Sequence, residues 1–234
     1  MVHRKFLLAL VAALCIALFS SPAPSLVGSV CSASLNSSNP ILIDGDNNFT
    51  SANGVVGGSG TDNDPYIIEN WVISTSSNHG IYIKNTRSYF VIRNVVVENG
   101  YPTYNGIYFE NVWNGKIENV VSMNNGNGIF LIFSNANTVL NSTVGYAYYG
   151  ITLGYSHNNT FLNNTLGNNK YGFWLASSTS NTLSGNIVEN CTTTGTGIVL
   201  NSSSSNTISN NTVGNNPNGI PSPTLPTPIS LTTR

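Results

Sequence analysis

Charge is what this chain has least of. Only 7% of its 234 residues are Asp, Glu, Lys or Arg, and the formal net charge is −1. No basic stripe exists to neutralise a polyanion, so nucleic acid is excluded as a partner. Cysteine is nearly missing too: Cys15 and Cys31 fall in the first 33 residues, and Cys191 alone builds no disulfide framework. Long apolar runs are absent but for Phe6 to Phe19, which follows His3, Arg4 and Lys5. That run is shorter than the roughly 20 residues of a spanning helix, and a polar, proline-containing segment follows it. It reads as a secretory signal cut after Ala33. The mature chain is then expected to have no transmembrane span and to lie outside the cytoplasm: secreted, at the cell surface, or in the periplasm of a Gram-negative cell. Losing Arg4 and Lys5 leaves six basic against nine acidic side chains, or −3.

Asparagine, serine, threonine and glycine take the place of charge, and they favour turns and short strands over helix interiors. Eight Asn-x-Ser/Thr triplets begin at Asn36, Asn48, Asn141, Asn158, Asn163, Asn190, Asn201 and Asn210. They are either glycosylation acceptors, if the host has the machinery, or by-products of the composition.

A repeat organises these residues. Gly-aliphatic starts occur at Gly80, Gly106, Gly128, Gly150, Gly172, Gly197 and Gly219, in steps of 26, 22, 22, 22, 25 and 22. The two longer steps carry insertions, Gly100 to Asn105 and Cys191 to Thr196. Such a period signals a solenoid. Two positions apart, Ile81 and Ile83, Ile107 and Phe109, Ile129 and Leu131, Ile151 and Leu153, Phe173 and Leu175, and Ile198 and Leu200 mark a first strand buried on one face. Ile92, Ile117, Val139, Phe161, Leu183 and Ile208 mark a second strand; Val97, Val144, Leu166, Val188 and Val213 mark a third. Three strands in about 22 residues leave room only for tight turns, so the chain must coil with parallel rungs about 4.8 Å apart. The expected fold is all-β: a single-stranded, right-handed parallel β-helix of about seven rungs.

Stacking assigns further residues. Asn137, Asn159, Asn181 and Asn206 share one repeat position, and Asn119, Asn141, Asn163 and Asn210 another; both sets are expected to form amide ladders. Glu69, Arg93 and Glu118 fall on successive rungs as a stack of alternating charge, and Lys84 lies one rung from Glu110. Residues 34–65 read as a cap and lead-in, 66–219 as the coil, and 220–234 as a Pro/Thr-rich linker or stalk. With no evident cap at its far end, the expectation is either that a further C-terminal domain is missing or that this is a fragment.

The GIxL…S..NTI..N.V..N unit resembles the β-helix repeats of NosD-like proteins and the wider class of carbohydrate-binding proteins and sugar hydrolases. Asn53 to Ser74 looks like the start of archaeal secreted members. The resemblance covers about residues 41 to 219 and implies the fold. For activity it implies three options. One is a polysaccharide lyase or hydrolase of the pectin-lyase-like class, but the acidic residues form no carboxylate pair or calcium and arginine cluster, so no catalytic residue is assigned. Another is a copper accessory protein, but His79, His157, Met123 and Cys191 occupy different repeat positions, so no metal ligand set is assigned either. Asp44, Asp46, Asp62 and Asp64 offer oxygen ligands for calcium without the spacing of a full calcium loop; turns are the plainer reading, and no cofactor is expected.

The third option is binding of a polysaccharide or glycan. The residue between the two buried positions of the first strand points outward, and there stand Tyr82, Tyr108, Phe130, Thr152, Trp174 and Val199. Aromatic rings in such a stripe can stack on sugar rings; equally, strands favour aromatics and stacked rings steady neighbouring rungs. The reading carried forward is a non-catalytic carbohydrate-binding or surface module with Tyr82, Tyr108, Phe130 and Trp174 as contact residues.

Overall fold

The computed structural model of the chain describes residues 35–218 and 229–232. The expected signal segment, the Gly219-Ile220 start and most of the Pro/Thr-rich segment lie outside these residues. Among the described residues no helix is long and apolar enough to cross a membrane.

The chain winds as a right-handed parallel β-helix. The first strands of successive turns form one seven-stranded sheet: Ile41–Asp44, Ile81–Thr86, Ile107–Val112, Asn127–Ile132, Tyr149–Gly154, Tyr171–Ala176 and Thr196–Asn201. The second and third strands of each turn form two further parallel columns, joined where Thr207–Gly214 serves both. Six regular turns begin at Gly80, and Ile41–Asp44, Tyr66–Glu69 and Trp71–Ser74 make an irregular turn ahead of them. Asn36–Ser38 pairs in parallel with Trp71–Ser74, and Ile229–Thr232 with Thr207–Gly214.

The apolar period drives this winding. Both inward residues of every first strand are buried, as are Ile92, Ile117, Val139, Phe161, Leu183 and Ile208 on the second and Val97, Val144, Leu166, Val188 and Val213 on the third. Together they form one continuous core. The repeat opens on glycine because rungs touch there: a Cβ at Gly128 would lie 2.8 Å from the carbonyl oxygen of Gly150 and 2.1 Å from Val144 Cγ1. At the N-terminal end Phe49 stacks on Tyr66 at 4.6 Å, and Trp71 Nε1 donates to the Gly54 carbonyl at 3.1 Å. These contacts cover the first turn.

Most corners turn on a left-handed residue, usually asparagine, and the next side chain is directed inward, polar where ladders form and apolar at Val95, Val112 and Val120. At the corner after the first strand, the buried amides of Asn137, Asn159, Asn181 and Asn206 run up the coil. Each Oδ1 from Asn159 onward accepts the backbone N–H and the amide of the residue one rung below, at 2.8–3.2 Å. Ser134, Ser156, Ser178 and Ser203 form a parallel hydroxyl ladder.

The second asparagine column stands elsewhere than the spacing suggests. Asn119, Asn141, Asn163 and Asn210 hold φ of 50–56° and point outward, with no amide bond among them. The ladder at that corner is the next residue along: Asn164, Asn186 and Asn211, buried and bonded at 2.9–3.0 Å. Two adjacent asparagines share one period, and backbone conformation decides which turns in. Among the described residues, no buried side-chain nitrogen or oxygen lacks a partner.

Charges stack partly as expected. Glu69, Arg93 and Glu118 are in register, and Arg93 Nε pairs with Glu69 at 2.5 Å. Glu118 instead takes Lys116, its neighbour on the same strand face, and Lys84 takes Asp44 at 3.1 Å rather than Glu110.

Candidate functional site

The outward face of the seven-stranded sheet carries a run of aromatic side chains. Tyr82, Tyr108, Phe130, Thr152, Trp174 and Val199 are register partners on consecutive rungs, and all are half-buried. The aromatic members do not form an even row. Tyr82 and Tyr108 stack at 4.6 Å with planes 12° apart, and Tyr108 and Phe130 at 5.2 Å and 7°. These three rings lay their faces on one another and turn their edges to solvent. Past Phe130 the pile stops at Thr152, whose hydroxyl donates to Asn127 Oδ1 at 2.8 Å. Asn127 in turn donates to Asn105 Oδ1, also at 2.8 Å.

Beneath the pile, Glu110 accepts hydrogen bonds from the Tyr82 hydroxyl and, at 3.4 Å, from that of Tyr108. Desolvation, with the Glu110 carboxylate beside it, pushes the Tyr108 phenol up to about 12; the same causes push Tyr82 up further. His79 lies 5.0 Å from the Tyr108 ring and 5.5 Å from Tyr82. Its Nδ1 accepts the Asn105 N–H at 3.0 Å, and burial lowers its pKa, so the imidazole is held neutral.

Trp174 belongs to a second cluster. It meets Tyr171 and Tyr149 edge-on at 5.0 and 5.4 Å, while Tyr149 and Tyr171 stack at 5.2 Å. Tyr148 packs edge-on against Tyr149 at 4.7 Å, and Lys170 Nζ lies over the Tyr148 ring at 4.5 Å and donates to its hydroxyl at 2.8 Å. On the far edge of the same sheet the exposed Phe133 and Tyr155 stack at 5.4 Å. Of this second set, sequence reasoning singled out Trp174 alone. The others sit at strand ends and corners, where inward and outward alternation breaks, though the Tyr-Gly before the starts at Gly150 and Gly172 was a visible sign.

Both insertions emerge at the corner that feeds this sheet. Tyr104, from the first, accepts the Gly126 N–H at 2.7 Å; Gly195, in the second, packs so tightly on the Lys170 carbonyl that a Cβ would lie 1.9 Å from it. The loops therefore stand beside the aromatic face at its two ends.

The remaining predicted residues sit apart from this face or take protein partners. Asp44 holds Lys84 and accepts from Asn85 at 2.9 Å; Asp46 accepts from the Thr86 hydroxyl; Asp64 lies in the Thr61 turn, and Asp62 beside it. His157 bonds Thr179 at a different corner from His79, Met123 ends a third strand, and Cys191 is buried with its thiol pushed up to about 11 by desolvation. Among the described residues no group of three or more His, Cys, Asp or Glu could hold a metal ion.

The family model described as periplasmic copper-binding protein (NosD) matches residues 93–222. Curated protein sequences give no match. Among solved structures, the periplasmic alginate epimerase AlgG superposes with a TM-score of 0.57 at 20% identity, covering 71% of this chain and 46% of that one. A single-substitution variant of AlgG gives 0.56 at 20% identity, over 71% and 49%. Pectate lyase Pel9A matches at 0.44 and 14%, over 93% and 73%. The chain thus spans less than half the length of AlgG.

Proposed function

The chain belongs to the family of periplasmic copper-binding proteins named NosD, and from that premise we propose that this member works outside the cytoplasm as a glycan-binding module. Among the described residues the soft donors are dispersed over separate corners and rungs and form no ligand set for the family's metal. One observation carries the glycan reading: two clusters of aromatic side chains stand on one face of one sheet, flanked by the two insertions that break the repeat. Insertions in solenoids collect on the binding face, and amphipathic rings suit the apolar faces of sugars. The epimerase of the same fold acts on alginate, which is consistent with a polysaccharide as partner.

Because Tyr82, Tyr108 and Phe130 cover one another, the ring faces open to a sugar are those at the end of the pile, at Phe130 above the Thr152 step, and in the Trp174 cluster. Phe130 and Trp174 stand two rungs apart, roughly 9.6 Å, a gap that admits one sugar ring. Retardation on immobilised polysaccharides tests this. Trp174→Ala and Phe130→Ala are each expected to weaken retention about tenfold, whereas Tyr108→Ala acts less directly. Equal retention of native protein and a Phe130→Ala/Trp174→Ala double variant would sink the reading.

A second reading, catalysis on a polysaccharide, is favoured by the grouping of His79, Tyr82, Tyr108 and Glu110, where two protonated phenols donate to a carboxylate and a neutral imidazole packs against their rings. Such groups can transfer protons if a substrate reaches them. New reducing ends or unsaturated product from polyuronides, abolished by His79→Ala, would establish it; their absence from the native protein would count against it.

A further inference from the structure

Lys170 is the only Asp, Glu, Lys or Arg between Asn119 and Val188. It takes part in none of the ion pairs among the described residues, which are Lys84 with Asp44, Arg93 with Glu69 and Lys116 with Glu118. The ammonium's hydrogen-bond partner is the hydroxyl of Tyr148, and no carboxylate compensates the charge. Yet the side chain is not loose. Its Nζ lies 4.5 Å over the Tyr148 ring and 5.5 Å over Tyr171, so two cation–π contacts and a hydrogen bond fix where the ammonium sits. An oriented cation gives up less entropy on binding than a free lysine would.

Its surroundings add shape. Tyr149, Tyr171 and Trp174 provide aromatic surface next to the ammonium. Successive rungs at this corner carry Tyr104, Gly126, Tyr148, Lys170 and Gly195, so the two insertions bracket the lysine across roughly 19 Å of sheet edge. The three threonines of the second insertion, Thr192 to Thr194, are exposed on the rung beside it. Aromatic surface supplies affinity for any pyranose, and the cation adds a preference of one sign.

We propose that Lys170, with Tyr148, Tyr171 and Trp174, forms a subsite that selects an anionic pyranose, one bearing a carboxylate or a sulfate, over a neutral one. This rests on the glycan-binding reading above and names the class of glycan it takes. Among the described residues no carboxylate pairs with the ammonium: Glu189, the nearest in sequence, lies on a third strand, and Glu110, on the same sheet, lies three strands away and accepts from Tyr82 and Tyr108. The interaction is exposed to solvent, so its contribution is modest and falls with salt.

Affinity electrophoresis of the full chain through gels carrying polygalacturonate, dextran sulfate or neutral dextran tests the proposal, with Lys170→Gln and Lys170→Arg beside the native protein. Native protein is expected to bind at least one anionic polymer about three- to fivefold more tightly than the neutral one. Lys170→Gln should close that gap, Lys170→Arg should keep it, and 0.5 M salt, on the order of a fivefold rise in ionic strength, should erase it. The polyuronate and sulfated arms tell carboxylate from sulfate. Equal retardation by neutral and anionic gels, or an unchanged preference in Lys170→Gln, overturns the anionic subsite and leaves glycan binding standing. No retardation of native protein in any gel overturns both.

Discussion

In each Asn-Asn-Thr triplet the two amides do opposite things. Asn163 takes φ of 53° and faces water; Asn164 turns in, accepts the Ser142 N–H and donates to the Val139 carbonyl. Asn164→Ala strands several buried groups, each costing about 1–3 kcal/mol, so a loss of about 2–4 kcal/mol is expected by urea denaturation. Asn163→Gly should stay within about 0.5 kcal/mol, and Asn163→Val, β-branched at a left-handed corner, should cost about 1–2 kcal/mol. Repeat spacing alone put the ladder on the wrong member of the pair, because both recur every 22 residues. A sign was present: Gly185, with φ of 68°, fills the column of Asn163, and glycine replaces a left-handed corner residue but not a ladder amide. Glu98 is another single-residue case. It is 8% exposed, and desolvation raises its pKa. The folded state therefore holds its proton more tightly, so this group's contribution is full below the unfolded value near 4.5 and lost as pH rises through the folded one. Glu98→Gln is expected to raise the melting temperature at pH 7 and to leave it unchanged at pH 3; a drop at pH 7 would show that the carboxylate has a partner.

At the scale of the strand, inside and outside were legible on the first strands because the alternation there is strict, whereas on third strands Val96, Val121 and Met123 are buried in a second cluster apart from the core. The first-strand pairs and the second- and third-strand markers are buried where period two puts them. What alternation does not encode is how outward side chains treat each other. Tyr82, Tyr108 and Phe130 were placed in register, but their mutual stacking follows from 4.8 Å rungs, a spacing near the contact distance of aromatic rings. The Tyr148, Tyr149 and Tyr171 cluster lay hidden at the strand ends. The pile has a pH signature. Burial and the Glu110 carboxylate hold Tyr108 up at about 12, against 10.0 for a free phenol. Above pH 10 the unfolded chain releases this proton first, so stability is full below 10 and declines towards 12. Tyr108→Phe is expected to flatten the fall in denaturation midpoint between pH 10 and 11.5, and ultraviolet titration of the native protein should show late-ionising tyrosines that the variant partly lacks. The opening glycines set the other limit on the strand. Gly128→Ala puts a Cβ against Val144 and the Gly150 carbonyl, and about 1–3 kcal/mol of overpacking should appear in the same denaturation assay.

For the whole molecule, the decisive property is that each turn touches only its neighbours, so the coil should tolerate loss of a whole turn and resist loss of a partial one. Six regular turns and their parallel register could be read from the steps between glycines, since every turn must close at the same angle for like residues to meet. The irregular first turn could not, because 45–65 depart from the repeat to cover the end of the core. Deleting residues 150–171 removes one 22-residue period and joins Tyr149 to Gly172. Tyr149 already stands in register with Tyr171, so the new junction reproduces the Tyr-Gly step of the old one. Ile129 and Leu131 then meet Phe173 and Leu175 in place of Ile151 and Leu153, and Asn137 and Ser134 meet Asn181 and Ser178, keeping both ladders. Deleting only 150–169 carries every later side chain two positions out of register and breaks both ladders. The 22-residue deletion is expected to give a monomer with the native circular-dichroism signature and a single cooperative melt; the 20-residue deletion should give a broad, non-cooperative one. If the two melt alike, the turns do not stack by register, and the aromatic face assembled from that register loses its basis as well.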